Sequence, residues 1–349
     1  MTDVVWSRQG TAPDEVEAAL RELLARQHAE DSGYVPARVL NMIVFVDRQW
    51  RGEVANRLRG VGRYNASRLL LLEYEPGRER LDARVTIASE RRAPGEFGLL
   101  RETVVVELGD KHLDDLVTIA DPLVVTDLPT LVWSPHGHNH ALEALLGLAQ
   151  AVLVDSVDEP VWREAIDRAC TLSGTAYVVD LAWLRSTPWR ERMAAVFDPP
   201  RRRRELGSIT QVAVRHHPAS TVAGMLFIGW LASRLQWGVE PLLSHGSALI
   251  GKAHARRQDV ALRLQTAPEQ HVRGLAGLTV EVSSGRRLSL DRGPGGLQAH
   301  ASERGAERSW TLLGASRGEQ GILGEGIRQT LLRDPTYVPA LKAAQAMLP

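Results

Sequence analysis

The sequence predicts an α/β N-terminal domain with a mostly parallel mixed sheet, followed by an α+β C-terminal domain with an antiparallel meander. Three observations carry this. Two near-continuous apolar runs, at 38–47 and 67–74, have the pattern of strands buried on both faces. From Asp110 to Asp180 helical and strand patterns take turns, which implies crossover units and a parallel sheet covered on both sides. After Asp198-Pro-Pro-Arg201 short strands follow at close spacing, separated by turns such as Gly293-Pro-Gly-Gly296. The boundary is expected near 198–206, giving domains over 1–200 and 201–349.

Taken in order, the segment 13–30 sets Val16, Leu20, Leu23 and Leu24 on one helical face. Asp14 and Glu15 lie near its N-terminus, where the helix dipole favours anions. The first buried strand, 38–47, leads into a helix carrying Val54, Leu58 and Val61, ended by Gly60 and Gly62, and the second buried strand is 67–74. Segments 83–89 and 102–108 alternate more and read as antiparallel strands joined through Pro94-Gly95. Helices are expected over 111–120, 140–150 and 160–172, with strands at 130–133, 151–155 and 176–180. Pro160 suits a first helical turn. Thr187-Pro188 then starts a helix to Phe197. The C-terminal domain opens with a strand at 209–215 and a long apolar helix at 219–235. Strands at 260–264, 275–282, 287–290, 297–301 and 310–313 form the meander, and helices at 321–332 and 337–347 close the chain.

At 349 residues the chain is long enough for two domains, and 42 basic and 42 acidic side chains cancel. The zero is a sum of unequal blocks. Residues 1–101 carry 16 basic and 15 acidic groups, 102–167 carry 2 and 13, 168–200 carry 4 and 3, and 201–349 carry 20 and 11. A uniformly basic nucleic-acid binder is excluded. The single cysteine, Cys170, forbids an intrachain disulfide and any cysteine-based zinc cluster, so a reducing cytoplasm is the expected compartment. No basic n-region followed by an apolar run opens the chain. The most apolar stretch, 222–232, falls well short of the roughly 20 residues that span a bilayer.

No constellation demands a reaction. Neither a P-loop nor a G-x-G-x-x-G follows the buried strands. The glycines of 318–326 read as a loosened connector, because Glu319 and Glu325 would oppose a phosphate. His136-Gly-His138-Asn-His140 lacks a carboxylate within the motif and reads as a polar loop rather than a metal site. His216-His217 point opposite ways at a strand end, and Ser244-His245-Gly246-Ser247 gives adjacency without triad geometry. Catalytic residues, metals and cofactors are therefore assigned as none. Two segments stand out instead: the arginine run 201–204, and 179–191, where two tryptophans and three charges surround a helix start. Trp with Arg is a pairing enriched at interface hot spots. Arg185, Trp189, Arg190, Arg201 and Arg202 are the candidate partner-binding residues. The plainer alternative has Trp183 and Trp189 in the core and Arg185 paired with Asp180.

The segment Asp180-Leu-Ala-Trp183-Leu-Arg185-Ser-Thr187-Pro188-Trp189-Arg190-Glu191 resembles the D-L-x-W-x-R-x-T-P-W-R-E signature of the glucose-6-phosphate dehydrogenase assembly protein (OpcA) family. Arg38-Val-Leu-Asn41, Ser67-Arg68, Asp127-Leu-Pro129 with Trp133, and Gly229-Trp-Leu-Ala-Ser-Arg-Leu-Gln-Trp237 are similar too, so the resemblance covers roughly residues 35–345. Ala182 and Gln236 stand where the family pattern has Asn and Gly. The resemblance implies a non-catalytic assembly factor or allosteric activator. It would bind glucose-6-phosphate dehydrogenase and stabilise its active oligomeric state, supporting the oxidative pentose-phosphate pathway and NADPH supply. The alternative is an α/β enzyme or binding protein for a phosphorylated sugar or nucleotide, held by arginines at strand ends. Regulation through an intrachain cysteine pair is not open to a chain with Cys170 alone.

Overall fold

The computed structural model describes residues 3–36, 38–61, 67–90, 98–313 and 318–349; Gly62 and the Pro94-Gly95 turn lie outside these. The chain forms two compact units. The first takes Met1–Val154, Thr175–Val179 and Leu323–Arg333, and the second takes Asp155–Gly174, Asp180–Ile322 and Asp334–Pro349.

The first unit begins with β1 (Val4–Arg8), α1 (Pro13–Glu30), β2 (Tyr34–Pro36), β3 (Leu40–Asp47), α2 (Arg51–Val61) and β4 (Ser67–Tyr74). It continues with β5 (Asp82–Glu90), β6 (Gly98–Leu108), α3 (Leu116–Ala120), β7 (Thr130–Trp133), α4 (Asn139–Ala144) and β8 (Ala151–Val154). After α5 (Trp162–Ser173) of the second unit comes β9 (Tyr177–Asp180). Its sheet runs β1-β5-β6-β4-β3-β7-β8-β9, with β2 on β6. The pairs β6–β4, β4–β3, β3–β7 and β7–β8 are parallel, whereas β5 is antiparallel to both β1 and β6. Leu40–Val46 and all of β7 are buried, as strands covered on both faces require. With β5 set aside as an insertion, the run β6-β4-β3-β7-β8-β9 is the doubly wound order 3-2-1-4-5-6. Its direction reverses between β3 and β7, the place where such sheets open a ligand crevice beyond the strands' carboxyl ends.

The second unit contains α6 (Leu181–Arg185), α7 (Thr187–Phe197), α8 (Pro200–Arg203), β10 (Ile209–His216), α9 (Thr221–Leu235), β11 (Gly238–Val239) and β12 (Leu243–His245). Then follow β13 (Ala248–His254), β14 (Asp259–Thr266), β15 (Leu275–Val282), β16 (Arg287–Gly293), β17 (Gly296–Glu303) and β18 (Ala306–Leu313). The chain ends with α10 (Gly318–Leu332), which passes into the first unit at Leu323, and α11 (Tyr337–Ala346). The sheet order is β11-β13-β14-β10-β15-β16-β17-β18, with β12 on β13. β15–β18 form an antiparallel meander, but the strand at 260–264 expected to begin it is β14, which lies on the other side of β10, parallel to β10 and antiparallel to β13. Apolar α9 packs against α11 and against β10 and β14.

Several local expectations shift. The segment 111–120 is a 3-10 turn at Asp110–His112 followed only by α3, and 140–150 divides into α4 and a 3-10 turn at Leu145–Gly147. The glycines expected to loosen 318–326 lie inside α10. Arg201–Arg203 are helical in α8, at the place where the sequence put the domain boundary. β1, β2 and β11–β13 come without a sequence expectation.

Candidate functional site

The signature segment builds one buried polar network within the second unit. β9 ends at Asp180, whose side chain caps α6 by accepting from the Ala182 amide at 2.9 Å. The same carboxyl accepts from the Ser156 amide (3.2 Å) and hydroxyl (2.6 Å), and the Tyr337 hydroxyl donates to it at 3.3 Å. Asp180 is 1% exposed, and that burial pushes its carboxyl up to about 6 against the pull of these donors. Arg185 does not pair with Asp180, as the plainer sequence reading had it. Its guanidinium grips Asp155 bidentately at 2.8 and 2.6 Å and reaches Glu319 at 3.0 and 2.7 Å. Burial works against the Arg185 charge, but these two carboxylates outweigh it and raise its pKa.

Between α6 and α7 the chain turns at Ser186, whose hydroxyl donates to the Trp183 carbonyl at 2.7 Å. Pro188, with no amide hydrogen, falls in the first turn of α7, where no intrahelical partner exists for one. That turn brings Arg190 back over Trp183, its guanidinium carbon 3.4 Å from the ring centroid. Arg190 also donates to Thr187 Oγ1 (2.8 Å), Ser186 Oγ (3.2 Å) and the Trp183 carbonyl (3.3 Å), and lies 3.7 Å from Asp334. Burial lowers its pKa to about 10. The Trp183 indole donates to Asp334 at 2.9 Å, and its ring packs on Tyr337 with centroids 5.5 Å apart. Burial pushes the Asp334 carboxyl up, but hydrogen bonds from the Thr336 hydroxyl and amide and from Trp183 prevail and hold it below the usual carboxylate range.

The five sequence-nominated residues thus divide. Arg185, Trp189 and Arg190 are internal, with side chains or residues 6%, 2% and 8% exposed; Trp189 faces Arg292, whose guanidinium lies 5.9 Å from its ring. Arg201 is exposed and Arg202 half-buried on α8, apart from the network. Sequence reasoning missed Asp155, Glu319, Asp334 and Tyr337. They lie 30 or more positions from the residues they hold, and no local spacing announces them. In chemical terms the network is a set of satisfied donors and acceptors that ties the chain at 155–156, 180–190, 319 and 334–337.

Among the described residues, no group of three or more His, Cys, Asp or Glu is placed to hold a metal ion, and no helix is long and apolar enough to cross a membrane. Cys170 is half-buried, and burial pushes its thiol up to about 11, far from a reactive thiolate. Arginines near strand ends in the first unit hold carboxylates. Arg38 and Arg68 share Glu102 at 2.5 and 2.6 Å, and Arg78 bridges Glu75, Asp82 and Glu107.

Residues 59–170 match the family model described as the glucose-6-phosphate dehydrogenase subunit N-terminal domain, and residues 176–341 match that of its C-terminal domain. The putative OxPP cycle protein OpcA of Synechocystis sp. is 31% identical over 129 residues, which is 36% of this chain and 27% of that protein. Its counterpart in Synechococcus elongatus is 27% identical over 141 residues, 39% and 32% of the two chains. The matched stretch thus spans about a third or less of the length of these curated relatives. Among solved structures, the 3-ketoreductase KijD10 of Actinomadura kijaniata, in complex with TDP-benzene and NADP, aligns with a TM-score of 0.51 at 13% identity. The alignment covers 88% of this chain and 95% of that one. At that identity the likeness is one of fold, here a Rossmann-like one.

Proposed function

Because the chain belongs to the glucose-6-phosphate dehydrogenase assembly (OpcA) family, we propose that it is a non-catalytic partner of that dehydrogenase, which it binds and holds in an active oligomeric state. The observation that carries the reading is the pair of subunit-domain matches across residues 59–170 and 176–341. The mechanism is linkage: a protein that binds the active conformation more tightly than the inactive one shifts the population toward it by its difference in affinity. Exposed Arg201 and half-buried Arg202 on α8 are the proposed points of direct contact. Arg185, Trp189 and Arg190 contribute from inside, by fixing the chain between β9 and α8. The proposed setting is the cytoplasm, with the effect felt as NADPH supply.

Titration of the purified chain into the dehydrogenase, followed by co-elution and by kcat and KM, tests this. A stable complex with a lower KM or a higher kcat is expected. Separate elution with unchanged kinetics would sink the proposal.

A further inference from the structure

The doubly wound order of the first unit implies a dinucleotide site at the reversal between β3 and β7, and the residues there can be tested for fit. Such a site needs a glycine turn after the first strand, an open helix N-terminus for the pyrophosphate, and a free acidic side chain at the end of the second strand for the ribose. After β3 this chain has Asp47-Arg48-Gln49-Trp50-Arg51, wound as a 3-10 turn at Arg48–Trp50. Gly52 follows only inside α2, past the turn itself, and a Cβ there would meet no protein atom within 4 Å. The first turn of α2 carries Glu53, which opposes an anion. At the end of β4, buried Glu73 has Arg51 at 3.5 Å. Glu75 just beyond it is held by Arg48, which also lies 3.7 Å from Glu107 at the end of β6.

The space over the reversal itself is crossed by rings. His138, from the segment after β7, reaches over β3 to lie 5.0 Å from Phe45 and 5.8 Å from Tyr74 of β4, both edge-on. Its Nε2 is 2.9 Å from Asp47 Oδ2, although off the hydrogen-bond axis. The Tyr74 hydroxyl is fixed in turn by a hydrogen bond to Asp110. Beside this cluster Trp50, from the turn after β3, stacks on His136, from the turn after β7, with centroids 4.8 Å apart. His136 holds φ +65, a backbone state uncommon outside glycine. The two segments that part at the reversal are therefore joined by aromatic contacts where a dinucleotide would enter.

The geometry points to a dinucleotide-type crevice that this chain has closed with its own side chains, Arg48, Trp50, His136 and His138, so that the unit takes no nicotinamide dinucleotide. The strand order is retained, and the crevice mouth is occupied by side chains of the chain itself, of which Trp50 stays 41% exposed.

The test is titration of the full chain, without the dehydrogenase, with NADP+, NADPH and NAD+ up to millimolar concentration. Two readouts serve: the melting temperature, and energy transfer from protein tryptophan to NADPH. No saturable change in either, in a sample that melts cooperatively, is the expected result. A saturable rise in melting temperature or saturable transfer with any of the three overturns the inference. Because the dehydrogenase is absent, the outcome is independent of whether the two proteins associate.

Discussion

At Gln236 the main chain takes φ 57, ψ 43, the left-handed turn that ends α9, with its amide donating to the Ala232 carbonyl. A side chain in that conformation costs about 1 kcal/mol relative to glycine, the residue that the family pattern places here. Gln236→Gly is expected to raise stability by roughly 0.5–1 kcal/mol, read as a higher urea midpoint at unchanged slope. A lower midpoint would show that the glutamine side chain contributes more than the strain removes. Arg190 presents the opposite case, since it is buried over Trp183 and beside Asp334. Arg190→Ala removes a desolvated cation–π contact and orphans its acceptors, so a loss of about 2–4 kcal/mol is expected. A melt unchanged by this substitution would contradict the packing role assigned to the network. Asp180 connects stability to pH. Its folded pKa of about 6 lies above the unfolded value of about 3.9, because burial disfavours the charged form. Its contribution to stability is therefore fully present below about pH 3.9 and is lost as pH rises through 6. Asp180→Asn keeps the acceptor for the Ala182 amide and removes the titration. The variant is expected to be at least as stable as the parent at pH 7 and to lack the parent's decline between pH 4 and 6.5. A variant much weaker at pH 7 would mean that the fold depends on the ionised carboxylate.

At the scale of elements, the α9–α11 contact rests on Gly229, where a Cβ would run into the Ala340 carbonyl oxygen and crowd the Ala344 amide at 3.0 Å. Backbone cannot step aside as a flexible side chain can. Gly229→Ala is therefore expected to lose about 2 kcal/mol or more, whereas Gly52→Ala, in open space on α2, is expected to gain up to about 1 kcal/mol. Chemical melts of the two variants check the pair, and equal effects would undo the argument. Gly229 was visible in the sequence as part of Gly229–Trp237, but the close approach was not, because Ala340 lies more than a hundred residues away. The same division runs through the elements generally. β3, β4 and α9 were legible because burial on all sides writes continuous apolar runs. β13 was not, although it pairs along its length with β14, because Ala248-Leu-Ile-Gly-Lys-Ala-His254 alternates weakly and contains a glycine. In the polar network, the donors between Asp180 and Arg190 were legible as an unusual cluster, but the carboxylates that hold Arg185 and Trp183 were not. Such partners are chosen by the tertiary fold alone.

At the scale of the whole molecule, the charge blocks of the sequence redistribute when the chain folds. Counted over the two compact units, the first holds 19 basic and 24 acidic side chains (−5) and the second 23 and 18 (+5). The sequence blocks of −11 at 102–167 and +9 at 201–349 are softened because α5, with its acidic neighbours, belongs to the second unit. A chain of zero net charge has little long-range field as a point, yet a partner that meets one unit first meets a signed surface. The proposed contact through Arg201 and Arg202 on the positive unit calls for an acidic face on the dehydrogenase. Such a pairing acts chiefly on the approach, since exposed charges are screened over about 8 Å at physiological ionic strength. Raising the salt from about 0.05 to about 0.5 M is therefore expected to slow association by roughly tenfold while dissociation changes little. The double variant Arg201→Glu/Arg202→Glu should slow association further and flatten its salt response. Association and dissociation rates measured across that range decide the matter. A salt-independent association rate, or a double variant with parental kinetics, would remove α8 from the contact and leave docking to apolar surface elsewhere.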